Sequence, residues 1–513
     1  MKKLVVIMLA AAVAMALGGP SALAAGKDTL VIGVSSDIHT LDPAVTMANW
    51  DWRQSWPCYN RLVRYKQGST EVEPSAAESW TVSDDGKTWT FKIRKGIKFN
   101  DGGVLDAKAV KFSFDRLFKL AKGPSEIVPN FESCRVVDDY TFEIKLASPF
   151  GPFIQTLACH AACLVNPNVM KHEKDGDMAQ AWLSAHCDGS GPYTLTEWRR
   201  GQRAVLEAKP DYWSGAPKLK KVIIRFMSES ADRRMALERG DIDIAETVEF
   251  DQLPALEKNK DILVLKNPSM LVDYVYLNNQ KEGLNNPLVR KALNYAVDYQ
   301  GIIDNVLGGN GIQMRGPVPK GLWGHKEDAF QFKRDVEKAK ALLKEAGFEK
   351  GLTLTMIYSE SRPTWAQIAA ILQSNFRDIG VDLKLEMMAN ATLRDKVNRG
   401  DYELCTGAWT PDYADPSMFM NFWFDSKRWG LPGNRSFYKN PKVDELIYKA
   451  ISIVDQAERT KLYNQAQDII MDEAPYIFLY QVNDILPMRK NVKGYVFNPM
   501  MLQMYNFEQM YKE

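Results

Sequence analysis

Between residues 352 and 385 the chain changes its hydrophobic period twice. Leu352, Leu354 and Met356 alternate with other residues, Ile368, Leu372, Phe376 and Ile379 recur at helical spacing and stop at Gly380, and Val381, Leu383 and Leu385 alternate again. A period of two, then about 3.6, then two is strand, helix, strand. Such a unit closes by parallel pairing through a right-handed crossover, which places this region in the α/β class.

The rest of the chain is compatible with that class. Leu30, Ile32 and Val34 alternate in a first strand ended by Leu41-Asp42-Pro43, and Asn49 to Trp52 lead into a helix-like run. Ser83-Asp84-Asp85-Gly86-Lys87 reads as a hairpin turn before Trp89, Phe91 and Ile93, and a further strand carries Phe142, Ile144 and Leu146. After Gly189 come three strands, a helix ended at Gly240, and a strand through Ile242 and Ile244; Gly after the last helical residue suits a left-handed cap. From about 280 the helices lengthen: Val289, Ala292, Leu293, Ala296 and Val297 share one face, and Asp335 caps a helix stopped by Gly347. Helices near 440–454 and 456–473 precede a strand beginning at Tyr476. The pattern describes two α/β lobes, and a junction between lobes is a frequent place for a ligand cleft.

The first 24 residues are set apart. Lys2 and Lys3, an apolar run from Leu4 to Leu17, a breaker at Gly18 to Ser21 and the small-x-small Ala22-Leu23-Ala24 form a secretory signal, with cleavage expected after Ala24. The mature chain, 513 less 24, is then 489 residues, enough for two or three domains. Lys and Arg number 65 against 64 Asp and Glu, with no basic block, which argues against nucleic acid as the main partner. Six Cys in an oxidising compartment make disulfides plausible, and a bridge from Cys187 to Cys159 or Cys163 is expected first; Cys405 lies in a strand-like run and reads as a buried thiol. Cys58 and Cys134 have no partner assigned. The His160 and His186 neighbours of these thiols match no common zinc spacing, so neither metal nor cofactor is expected.

One loop carries the chemistry. Gly407-Ala408-Trp409-Thr410-Pro411-Asp412-Tyr413-Ala414-Asp415-Pro416 follows a strand and sets an indole, a phenol and two carboxylates close together. An apolar wall with one buried anion suits a ligand with a positive end, since a desolvated ammonium needs a fixed negative partner. The same residues are also ordinary turn chemistry, and Asp415 before Pro416 reads as a helix cap. Elsewhere Gly86-Lys87-Thr88 fails as a phosphate loop because Thr81 stands where a Gly is required, and there is neither a Gly-x-Ser-x-Gly elbow nor a His-Glu-x-x-His run.

Specific runs resemble a known family. Ala77-Glu78-Ser79-Trp80, the stretch from Ser83 to Gly102, Gly189-Ser190-Gly191-Pro192-Tyr193, Asp211-Tyr212-Trp213, Gly240-Asp241-Ile242-Asp243-Ile244 and Asn440-Pro441-Lys442-Val443-Asp444 are similar to the signature of the family 5 extracellular solute-binding proteins, receptors of ABC importers. The resemblance covers essentially the whole mature chain and is closest to the dipeptide branch. It implies an α/β, two-lobed periplasmic binding protein fold (type II, cluster C) with an extra subdomain inserted in lobe one. Lobe one would span 25–275, with the insertion at about 65–185; lobe two 276–481; and 482–513 would return to lobe one. Trp80, Trp89 and Phe91 are then core residues. A periplasmic monomer is expected, with a short peptide or zwitterion as ligand and a membrane permease as partner.

The resemblance also implies site residues. Trp409-x-x-Asp412 is similar to the pair that holds a ligand ammonium beside an indole, and Ser361-Arg362-Pro363 to the Arg that takes a free carboxylate; an ammonium suits a carboxylate acceptor, and guanidinium matches a carboxylate bidentately. Met47, Ala48 and Asn49 resemble the lobe-one segment facing the cleft. Thr364 departs from the aromatic residue expected there in close dipeptide receptors. The expected function is capture of a dipeptide or similar zwitterion without turnover. The alternatives are an oligopeptide, oligosaccharide, nickel or haem ligand on the same scaffold and, more distantly, an exported peptide hydrolase or a chaperone.

Overall fold

The computed structural model describes residues 26–47 and 49–513, so the signal segment, its cleavage after Ala24, and Ala48 lie outside the described residues. Thr29–Val34 pairs in parallel with both Lys221–Phe226 and Ile244–Ala245 to found lobe one. In lobe two Leu352–Ser359 pairs in parallel with Val381–Met388 and with Leu404–Trp409, and Pro363–Arg377 is the helix between the first two. The strand, helix, strand unit expected from the change of period is therefore present, with Ile368, Leu372 and Phe376 fully buried.

The lobes are joined by strands rather than by loops. Ile262–Leu277 and Tyr476–Arg489 run antiparallel to each other through the middle of one sheet, with lobe-two strands on one side and lobe-one strands on the other. The expected boundaries at 275 and 481 fall inside these two strands, whose pairing runs on past both positions. Their register shifts where Ser269, Met270 and Leu271 stand opposite Val482 alone. Gln481, fully buried at this shift, donates to the carbonyls of Ser269 (2.5 Å) and Lys320 (2.8 Å), and its Oε1 accepts from the Lys320 amide (3.0 Å). Two extra residues on one strand bend and twist it locally, so the ladder carries a built-in flexure where the lobes meet.

A separate four-stranded sheet, Ala77–Val82, Thr88–Ile93, Thr141–Leu146 and Phe131–Asp138 in spatial order, lies within lobe one's sequence and is covered by the helix Ala107–Leu120. Trp89 and Phe91 are buried in it, and Trp80 is half-buried. Its core is continuous with that of lobe two: Trp89, Phe91 and Phe153 belong to the same apolar cluster as Leu354, Ile368 and Leu404. The contact is close at Gly151. Its amide donates to the Ile451 carbonyl (2.7 Å), and a Cβ there would lie 2.1 Å from the Ile453 carbonyl oxygen. Only glycine lets these two backbones meet.

Among the described residues no helix is long and apolar enough to cross a membrane. All six Cys are thiols. Cys187 interacts most strongly with Cys58, which the sequence reading did not pair with it, and less with Cys163; Cys159 takes no part. The reason is topological, since residues 187–191 run directly over 57–59, with the Gly191 amide donating to the Cys58 carbonyl. Cys405 is a fully buried thiol on Leu404–Trp409. The imidazole of His160 is committed to packing: it stacks on Trp56, contacts Ser55 Oγ at 2.8 Å, and has Cys163 Sγ at 3.4 Å.

Candidate functional site

Two adjacent parallel strands of lobe two end side by side. Met356 pairs with Leu404 and Ile357 with Cys405, so the Arg362 turn and the Trp409–Pro416 loop leave the same carboxyl edge. In open α/β sheets that edge is where ligands bind.

The loop is fastened at Ala414 and Asp415. Asp415 caps the turn at Pro416–Met418 by accepting from the Ser417 amide (2.9 Å), and both its oxygens take Arg459 at 2.7 Å in a fully buried bidentate pair. The Ala414 amide donates to Tyr65 Oη of lobe one (3.2 Å), and its carbonyl accepts from Trp323 Nε1 (3.1 Å). Asp412 has no hydrogen-bond or ion-pair partner among the described residues. Burial alone pushes its carboxyl up to about 7. Its charge is felt by Cys159 of the inserted subdomain, which places it against lobe one. A loop this firmly held keeps one uncompensated carboxyl at the lobe junction, which is costly in the absence of a cationic partner.

Trp409 ends its strand with one ring face stacked on Phe422, centroids 4.4 Å apart, and its buried Nε1 finds no acceptor among the described residues. The Arg435 guanidinium lies 5.9 Å from the same ring. Arg362 takes extended backbone before Pro363, which opens the helix Pro363–Arg377. Its side chain is 40% exposed, with Nη1 3.5 Å from the buried Asp273 carboxylate. Trp365 Nε1 donates to the same oxygen at 2.8 Å. Burial raises the Asp273 carboxyl and Arg362 opposes that rise. At 3.5 Å and with this exposure the pairing orients the guanidinium without saturating its five donors. Met47 is half-buried, with Cγ 3.5 Å from where a Cβ on Gly123 would stand, and Asn49 opens the helix Asn49–Ser55. Ala48 lies outside the described residues.

Asp273 and Trp365 were missed by sequence reasoning. The available signal was a carboxylate at Asp273 inside the run Leu271-Val272-Asp273-Tyr274-Val275, since a charge in a buried strand calls for a partner.

Residues 71–431 match the family model described as bacterial extracellular solute-binding proteins, family 5 Middle. The chain belongs to that family. Among curated proteins, the probable D,D-dipeptide-binding periplasmic protein DdpA of Escherichia coli is 47% identical over 490 residues, 95% of each chain. Among solved structures, HbpA2 of Haemophilus parasuis superposes with a TM-score of 0.86 at 29% identity, covering 94% of this chain and all of that one. The periplasmic binding protein DppA of Helicobacter pylori in complex with the peptide STSA gives 0.79 at 29% identity over 94% and 98%. The two-lobed fold of family 5 solute-binding proteins is thus shared along the chain. In this family 5 protein, Trp409, Asp412 and Arg362 all lie where Leu352–Ser359 and Leu404–Trp409 end at the same edge of the sheet.

Proposed function

We propose that this protein is an exported receptor of an ABC importer that captures a dipeptide or similar short zwitterion between its lobes. The observation that carries the reading is Asp412: a largely buried carboxyl without a partner, on a loop held on both sides of the junction through Ala414 and Asp415. A ligand ammonium supplies the missing charge, and desolvation that is unfavourable in the free protein becomes an attractive term in the complex. Arg362, half in solvent and held by Asp273, receives the ligand carboxylate, and Trp409 walls the backbone between them.

Two fixed charges of opposite sign act as a ruler, because a ligand that leaves one of them buried and unpaired forfeits ~3–5 kcal/mol. The relatives support the same ligand class: DdpA is named for D,D-dipeptides, and the Helicobacter pylori protein was solved with a peptide. Binding and closure without chemistry fit a receptor, in which ligand stabilises the closed arrangement and the permease reads the shift. Native mass spectrometry of protein purified without refolding is the test. A co-purifying dipeptide or related zwitterion is the expected result; a sugar or a metal chelate as the retained ligand overturns the reading.

A further inference from the structure

Where the two joining strands cross, the described residues line a partly open cavity of about 180 Å³. Its walls come from Glu246 and Phe250 of lobe one, from Ser269 and Asp484 of the joining strands, and from Tyr495 and Tyr505 of the C-terminal segment. Asp412, Arg362, Trp409 and Met47 do not line it. At ~30 Å³ per water the volume equals about six waters, the size of a four- or five-carbon amine.

The cavity holds two carboxyl groups in different circumstances. Glu246 is answered: Arg53 Nη2 lies 2.8 Å from Oε2, and Tyr505 donates its phenol proton to Oε1 at 2.7 Å. Asp484 has no hydrogen-bond or ion-pair partner among the described residues, and burial together with the like charge of Glu246 pushes its carboxyl up to about 7. With Arg53 already set against Glu246, the cavity carries one uncompensated negative charge when Asp484 ionises. Leu271, Met504 and the rings of Phe250 and Tyr495 give it apolar walls. An ionised carboxylate only accepts hydrogen bonds, an ammonium only donates them, and apolar walls favour an alkyl stem over a hydrated metal ion.

We propose that this cavity at the crossing is a second binding site, for a primary ammonium on a short alkyl stem, with Asp484 as its counter-charge. It is separate from the Arg362 and Asp412 edge and does not depend on the ligand assigned there.

The test is calorimetric titration of the full mature chain with n-butylammonium, with n-butanol as the neutral counterpart, and with dialanine as the zwitterion. Butylammonium binds saturably and butanol does not; Asp484→Asn lowers the amine affinity at least tenfold and leaves the dialanine titration unchanged. Leu502→Phe, which fills the cavity while keeping Asp484, abolishes amine binding by a different route and guards against misfolding of the first variant. Amine affinity rises with pH through about 7 in the wild type and is flat in Asp484→Asn; the other titratable groups facing the cavity are Glu246, Arg53, Tyr495 and Tyr505. No saturable binding of butylammonium to the wild type, equal affinity in Asp484→Asn, or competition between butylammonium and dialanine overturns the proposal. Failure of dialanine alone to bind leaves the amine result standing and counts only against the function proposed above.

Discussion

Replacing Asp412 with Asn keeps the shape of the loop and removes its charge, and the structure sets opposite signs for the effects on folding and on binding. The carboxyl is pushed from its ordinary 3.8 up to about 7 by burial. The folded state therefore holds the proton more tightly than the unfolded state. Below about pH 4 both are protonated and the group is silent; between 4 and 7 only the unfolded chain ionises, and stability falls; above 7 the loss is complete and level. At ~1.4 kcal/mol per pH unit, the upper bound on that loss is about 4 kcal/mol. Asp412→Asn escapes it, so in the ligand-free protein the variant is the more stable at pH 8 and equal to the wild type near pH 4. Binding runs the other way. A ligand ammonium requires the ionised carboxyl, so wild-type affinity climbs up to tenfold per pH unit towards 7 and then levels. The variant loses this slope and about 3–5 kcal/mol of binding, a hundredfold or more. Denaturant melts and calorimetric titrations of a dipeptide at pH 5 and pH 8 measure both. Unchanged dipeptide affinity at pH 8, or a variant less stable than the wild type at that pH, refutes the reasoning.

Arg362→Ala costs roughly 1.5–3 kcal/mol for a peptide with a free carboxyl terminus and little for its C-terminal amide, and titrating both peptides checks it. Asp415→Ala leaves the Arg459 guanidinium buried without its carboxylate; a loss of about 3–5 kcal/mol is expected in a denaturant melt. Gly151→Ala drives a Cβ into the Ile453 carbonyl and holds the inserted subdomain off lobe two, so small-angle scattering shows a larger radius in the presence of ligand than the wild type gives.

The parts of the fold that were legible are those in which one local signal decides. The parallel unit followed from two changes of period, Asp335 caps Val336–Glu345 by accepting from the Lys338 amide, and Gly240 ends its helix at a φ of 83°. Asp415 was recognisable as a cap from Pro416 beside it, although its larger role, the pair with Arg459, joins residues 44 apart and leaves no trace in local sequence. Of the candidate site, the Asp412 loop stood out through its own chemistry and through resemblance, and Arg362 through resemblance alone. Asp273 and Asp484 were passed over because both lie inside long apolar strands, where alternation dominates the reading and a single carboxylate looks like an interruption. The pairing of Cys187 went astray for a related reason: proximity in sequence favoured Cys159 and Cys163, while chain crossing brought Cys58.

The strands Ile262–Leu277 and Tyr476–Arg489 belong to both lobes at once, and the ladder between them shifts register twice, at the three-against-one step beside Gln481 and again between Asp273 and Tyr274. Opening such a molecule cannot be a swing on a slack tether. It is a torsion of a two-rail spring, softest where the rails change register. On the receptor function proposed above, the open and shut arrangements would differ by a rotation about these strands, and a permease that grips both lobes would read occupancy as an angle without touching the ligand.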